Sequence, residues 1–341
     1  MVNPIKRIPK EMFEPKRVDE SLAEKIEKPS LSFWQDAWLR VKKNKAAIVS
    51  VVVLTLLIIM ALIGPYLSGH TVQQNVEHAN LPPRIAAVAD VSWLPFDGTL
   101  KNRDGAILTP YEDRQITESY WFGTDSLGRD LFTRLWLGVR ISLFIAFLAT
   151  AIDMVIGVSY GAISGYFGGR VDNIMQRIIE ILSGIPNLVI VILLILILEP
   201  GILAITLALA LTGWVTMARV VRGQVLKLKN QEFALASKTL GATDYRIIFK
   251  HLMPNMVGVI IVNMMFTIPS AIFFEAFLSF IGLGLKPPNA SLGTLIEDGF
   301  RVMLLYPYML IIPSIVISLL MVTFNLLGDG LRDALDPKMR D

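Results

Sequence analysis

Asp153 and Glu275 stand where an aqueous enzyme would not place carboxylates, each inside a long apolar stretch of the chain. An ionised acid in hydrocarbon is costly unless it is paired or faces water, so each is either a contact between neighbouring segments or a lining group of a polar path. A second group comprises Asp125, Arg129, Asp130 and Arg134, flanked by Gly123 and Gly128. This pattern predicts tight turns with internal acid–base pairing, and it predicts that Leu131, Leu135 and Trp136 lie against a membrane surface. His70, His78 and His251 are scattered and cysteine is absent, so neither a metal centre nor a disulfide is expected. No phosphate-cradling glycine loop occurs, and no nucleophile and base fall at a catalytic spacing, so no catalytic residue is expected.

Composition indicates which elements must position these groups. Of the 341 residues, 53% are hydrophobic and 18% are charged, with a mean hydropathy of +0.56. A soluble domain carries about a quarter charged residues. The apolar residues gather in runs of the length, about 20 helical residues, that crosses a bilayer core. In hydrocarbon the backbone must satisfy its own hydrogen bonds, which makes these runs helices. The expected fold is an all-α membrane protein with six transmembrane helices near 46–67, 141–163, 180–198, 201–221, 256–277 and 306–327. The third must tolerate Pro186, and Pro269 is a second candidate bend. Gly157, Gly161 and Gly165, four apart, allow a neighbouring helix to approach closely.

The remaining segments are polar. Residues 1–30 read as a solvated tail, and 31–45 as an interfacial helix with Phe33, Trp34, Ala37, Trp38 and Val41 on one face. Residues 68–118 form an external region with a small core that leans on the membrane domain, with alternation over Ile85–Trp93 suggesting short strands. Residues 119–140 form a separate external segment, 141–328 hold the other five helices, and 329–341 are a second tail. Basic residues at 40–45, Arg170, Arg177 and the stretch from Arg219 to Lys250 place both termini in the cytoplasm. Arg129, Arg134 and Arg140 then fall outside, against the general bias. The net charge of +3 is too modest and too dispersed for nucleic-acid binding.

One cytoplasmic stretch is too polar to span and too regular to be a plain loop. Gln231–Leu240 predicts a short helix with Phe233, Ala236 and Leu240 on one face, closed by Gly241 in the left-handed conformation. Thr243 caps a second helix through Asp244, Arg246 and Phe249, and Pro254 stops it before the fifth span. Two short helices joined at a tight angle make a stiff protrusion able to transmit force.

The stretch EFALASKTLGATDYRIIFKHLMPN, Glu232–Asn255, resembles the segment by which permeases of binding-protein-dependent ATP-driven (ABC) importers dock on their ATPases. A triplet at Leu235, Ala236 and Ser237 precedes Gly241, and the ending falls on His251, Met253 and Pro254. Leu235, Ser237 and Met253 depart from the usual residues. A second stretch, WFGTDSLGRDLFTRLWLGVRISL, resembles the C-type subunit of oligopeptide, dipeptide and nickel importers. Gly123, Thr124, Asp125, Gly128, Arg129, Asp130, Arg134, Gly138, Arg140 and Ser142 fall on its pattern. With FEAFLSFIGLGLK, Phe274–Lys286, the likeness covers residues 31–67 and 119–341, leaving 68–118 as an insertion.

The resemblance implies a permease subunit in a prokaryotic cell membrane, pairing with a homologous second permease, two cytoplasmic ATP-binding subunits and an extracytoplasmic peptide-binding protein. It implies no cofactor in this chain, with ATP and magnesium held by the ATPases. It assigns ATPase coupling to Glu232, Leu235, Ala236, Ser237, Gly241, Ala242, His251 and Pro254. Movement around Gly241 would reorient the fourth and fifth spans. Nickel or another small solute is the alternative cargo, and a secondary transporter or a membrane scaffold is the alternative class.

Overall fold

A computed structural model describes residues 32–87, 96–101 and 104–335. The first tail, part of the expected Ile85–Trp93 alternation and the last six residues lie outside the described residues. Helix α1, Phe33–Lys43, starts on a capping box in which Ser32 and Gln35 satisfy each other's backbone. Asn44 ends it in an extended conformation and caps α2, Lys45–Ile63, by accepting from the Ala47 amide at 3.2 Å. Val41 is buried with Ala47 and Ala334, while Trp34 and Trp38 are exposed.

The second long helix, α3, spans Leu131–Phe167. It begins ten residues before the expected start at 141, because Asp130 accepts from the Thr133 amide at 3.0 Å and caps the helix there. Leu131, Leu135 and Trp136 are therefore buried in the bundle core rather than laid on a membrane surface. The third expected span is broken. Helix α4, Gly169–Gly184, meets α5, Asn187–Leu198, at 81°. Pro186 has no amide to donate and forces Ile185 into an extended conformation, so the helix cannot run through. Helix α6 follows at Ile202–Leu228.

The connector carries α7, Glu232–Thr239, and a single turn, Asp244–Arg246. Pro254 does not stop the helix here. A wide π-type turn, Ile247–Leu252, absorbs the missing hydrogen bond and leads directly into α8, Met253–Leu278, which continues through Pro269. Helix α9, Leu292–Val302, lies between α8 and α10 and was not expected; α10 runs Tyr308–Leu335, through most of the segment read as a second tail. Among the described residues, five helices can cross a membrane by length and composition, or six if the bent α4–α5 pair is one passage.

The tightest seam joins α3 to α6. A Cβ on Gly157 would lie 2.7 Å from the Trp214 carbonyl oxygen, and one on Gly165 would lie 2.9 Å from that of Arg222. The expected glycine stripe thus brings two backbones together. One apolar core joins α2, α3, α5, α6, α8, α9 and α10, and a second joins α3, α6, α7 and the start of α8. Chain direction places α1, the end of α3, α7 and the end of α10 at one end of the bundle, and residues 64–87, 96–101, 104–130 and α9 at the other.

Candidate functional site

At the first end, α7 is anchored through Ala234, which is buried, while Glu232, Leu235 and Ala236 point away from the protein. Ser237 is half-buried and donates to the Phe233 carbonyl at 2.9 Å. Gly241 adopts φ +80° with nothing within 4 Å of the position its Cβ would take, so backbone conformation rather than crowding demands glycine. Thr243 accepts from the Arg246 amide at 3.4 Å and caps the following turn. Ala242 and His251 are half-buried and Pro254 is exposed, all within this one unit. Leu240 is 88% exposed, Tyr245 70% and Phe249 52%, and the two rings lie 4.4 Å apart. This apolar tip was only partly legible: Leu240 was expected to share a helix face with Phe233 and Ala236, and Tyr245 was missed.

Around the connector runs a belt of polar contacts that local pattern did not reveal. Tyr166 donates its hydroxyl to Asp244 Oδ1 at 2.6 Å. Lys229 Nζ donates to the carbonyls of Gly165 at 2.7 Å and Tyr166 at 3.2 Å, which end α3. Arg222 of α6 donates twice to Asp172 of α4, each bond 2.6 Å long. Ser164 also donates to Asp172 and accepts from Gln176.

The opposite end is built from charges that satisfy one another. Asp125 is 2% exposed and binds Arg129 at 2.7 Å and also Arg134. Arg134 donates in addition to Asp298 of α9 at 3.1 Å. Gly123 and Gly128 take positive φ as expected, and the Thr124 hydroxyl accepts from the Leu81 amide at 2.8 Å. Arg140 donates to the Ala61 and Leu62 carbonyls at 3.0 Å each, closing the end of α2. A Cβ on Gly138 would press on the Ser291–Leu292 backbone at 3.0 Å.

The region read as 68–118 does not stand apart from this motif. The Asn75 amide donates to Leu127 and that of Asn80 to Asp125, so the two segments form one unit. Leu81, Tyr111, Ile116 and Tyr120 make its small core, and the Tyr308 hydroxyl of α10 ties it to the bundle through the Leu81 and Thr124 carbonyls. Burial pushes the Tyr111 phenol above its ordinary value, and burial with the neighbouring Glu118 does the same to Tyr120. A two-stranded hairpin, Leu100–Lys101 with Ile107–Leu108, projects from it. Two of the scattered histidines converge here, His70 stacking on Tyr120 and His78 hydrogen-bonding its hydroxyl at 2.7 Å. Among the described residues, no group of three or more His, Asp or Glu is placed to hold a metal.

Between the ends, both membrane carboxylates are buried within the chain itself. Glu275 accepts from Ser142 at 2.8 Å and Ser279 at 2.9 Å, and Ser142 in turn accepts from the Leu292 amide that opens α9. Asp153 lies in the α3–α6 seam against Gly213, and its Oδ1 and the nearby Thr150 Oγ1 have no hydrogen-bond partner among the described residues.

Membrane-length helices carrying a charge-paired cap at one end and exposed apolar side chains at the other define a polytopic membrane protein. The chain belongs to the family of binding-protein-dependent transport system inner membrane components, whose model matches residues 157–341. The model for the N-terminal transmembrane domain of oligopeptide transport permease C matches residues 32–83. The chain is 48% identical over 336 residues to the dipeptide transport system permease protein DppC of Bacillus subtilis, covering 98% of this chain and 95% of that one. It is 46% identical to the oligopeptide permease protein OppC of the same organism, covering 98% and 100%. The Lactococcus lactis DppC is 50% identical, with 92% and 93% covered. These are permease subunits, and the chain is classed with them as a non-catalytic transport component.

Proposed function

We propose that this chain is the transmembrane permease subunit of an ATP-driven importer of peptides, forming half of the translocation path and receiving force at the connector around Gly241. The apolar tip carries the reading. Leu240, Tyr245 and Phe249 expose hydrophobic area on a stiff protrusion, the expected form of a surface that a partner covers. Two cytoplasmic ATPases holding ATP and magnesium, a homologous second permease and an extracytoplasmic peptide-binding protein complete the assembly. Peptide as cargo is supported by the dipeptide and oligopeptide permeases to which the chain is similar.

Orientation follows from the same end. The connector, Lys42 and Lys43 of α1 and the end of α10 share one side of the bundle, which we place in the cytoplasm with both termini. Arg129, Arg134 and Arg140, which ran against that assignment, are all engaged by carboxylates or helix-end carbonyls on the other side. On that outer side we assign the paired strands Leu100–Lys101 and Ile107–Leu108 to contact with a binding protein, because residues 75–84 are knitted into the motif.

The test is purification of the intact complex in mild detergent, followed by uptake of di-, tri- and longer peptides after reconstitution with the cognate binding protein. Two ATPases and a second permease are expected to co-purify, and uptake to require ATP. Peptide uptake sustained by this chain without any ATPase would overturn the proposal.

A further inference from the structure

In sequence the connector joins α6 to α8, and a push near Gly241 would reach those two helices first. The contacts around it identify a third recipient. Asp244 opens the turn after Gly241 and takes the Tyr166 hydroxyl at 2.6 Å, a bond between residues 78 apart in sequence. On the other side of the same helix end, Lys229 holds the Gly165 and Tyr166 carbonyls at 2.7 and 3.2 Å. Above these bonds the glycine stripe sets the α3 backbone directly on α6, and the doubly bonded Asp172–Arg222 pair fastens α4 to the same body.

Helix α3 is also the element that reaches both ends. Its 37 residues extend about 55 Å at 1.5 Å per residue. Its first turns carry Asp130, Arg134 and Ser142, which join the outer cap, α9 and Glu275.

We propose that the Tyr166–Asp244 hydrogen bond, with the Lys229 clamp, delivers connector movement to α3, so that α3, α4 and α6 shift as one body and the outer cap feels events at the ATPase surface. Tyr166 and Lys229 are thus positioning residues. This rests on the connector being the ATPase docking site. A bond of this kind converts motion only if breaking it changes coupling and not merely stability.

The experiment uses the reconstituted complex with Tyr166→Phe, Asp244→Ala and the double variant, reading peptide taken up per ATP hydrolysed, ATPase co-purification and melting temperature. Tyr166→Phe is expected to lower the uptake-to-ATP ratio about fivefold, the lower range of coupling effects between sites, with co-purification and melting temperature unchanged. Adding Tyr166→Phe to Asp244→Ala should cost nothing more, because the bond is already gone. An unchanged ratio in Tyr166→Phe, or losses that multiply in the double variant, would overturn the proposal. Failure of the unaltered chain to hold ATPases would remove the docking reading itself and the latch with it.

Discussion

The two ends of the bundle handle polarity in opposite ways. At the cap, buried charges close on one another: Asp125 takes Arg129 and Arg134, and Asp298 shares Arg134. At the connector, Leu240, Tyr245 and Phe249 expose apolar area beside an exposed Tyr166–Asp244 hydrogen bond. A group that is satisfied internally contributes to the stability of the chain alone, whereas exposed hydrophobic area is stabilised only when something covers it. The first end is finished by folding; the second is finished by assembly.

The sharpest way to break this comparison is Asp125→Ala, which leaves the buried Arg129 without its close carboxylate and Arg134 with Asp298 alone. It should destabilise the protein by about 3–5 kcal/mol, read as a large fall in melting temperature in detergent. A small fall would mean that the cap does not depend on internal pairing. Gly241→Val comes next, since an L-residue in the left-handed region costs about 1–2 kcal/mol. With open space around the site, the melting temperature should fall only by the few degrees this strain implies, while peptide-stimulated ATP hydrolysis weakens. Leu240→Ser should cost about 1 kcal/mol of docking, seen as reduced ATPase co-purification at unchanged melting temperature; an equal loss of chain stability would place Leu240 in the core instead.

The smallest effect is one of pH. Tyr111 and Tyr120 are held above the ordinary phenol value of about 10. Their contribution is complete below that value and disappears as pH rises through the folded values. Alkaline solution should therefore loosen the cap, which a fall in melting temperature with rising pH would report.

What was legible in the sequence was whatever repeats locally. Lipid-length runs, the glycine stripe of α3, the cap at Thr243 and the positive φ of Gly241 each depend on residues a few positions apart. The partners of the motif charges were not legible. Asp298 reaches Arg134 across 164 positions, and Ser142 reaches Glu275 across 133. Neither separation leaves a periodic trace. Pro186 shows an intermediate case, because its presence was visible but the size of the bend was not: a proline near a helix start is harmless, whereas here sixteen helical residues precede it in α4.

That bend has a consequence for the surrounding lipid. Helix α5 has 12 residues and so covers about 18 Å, while the hydrocarbon layer is about 30 Å thick. Its partner α4 turns away at 81° and presents Arg177 and Glu180 to the surroundings, so it cannot supply the remainder as a straight continuation. Acyl chains beside α5 would therefore meet a wall too short for them. The deficit must be met by a locally pinched bilayer or by a helix from a neighbouring subunit, making this flank of the protein the one most sensitive to membrane thickness.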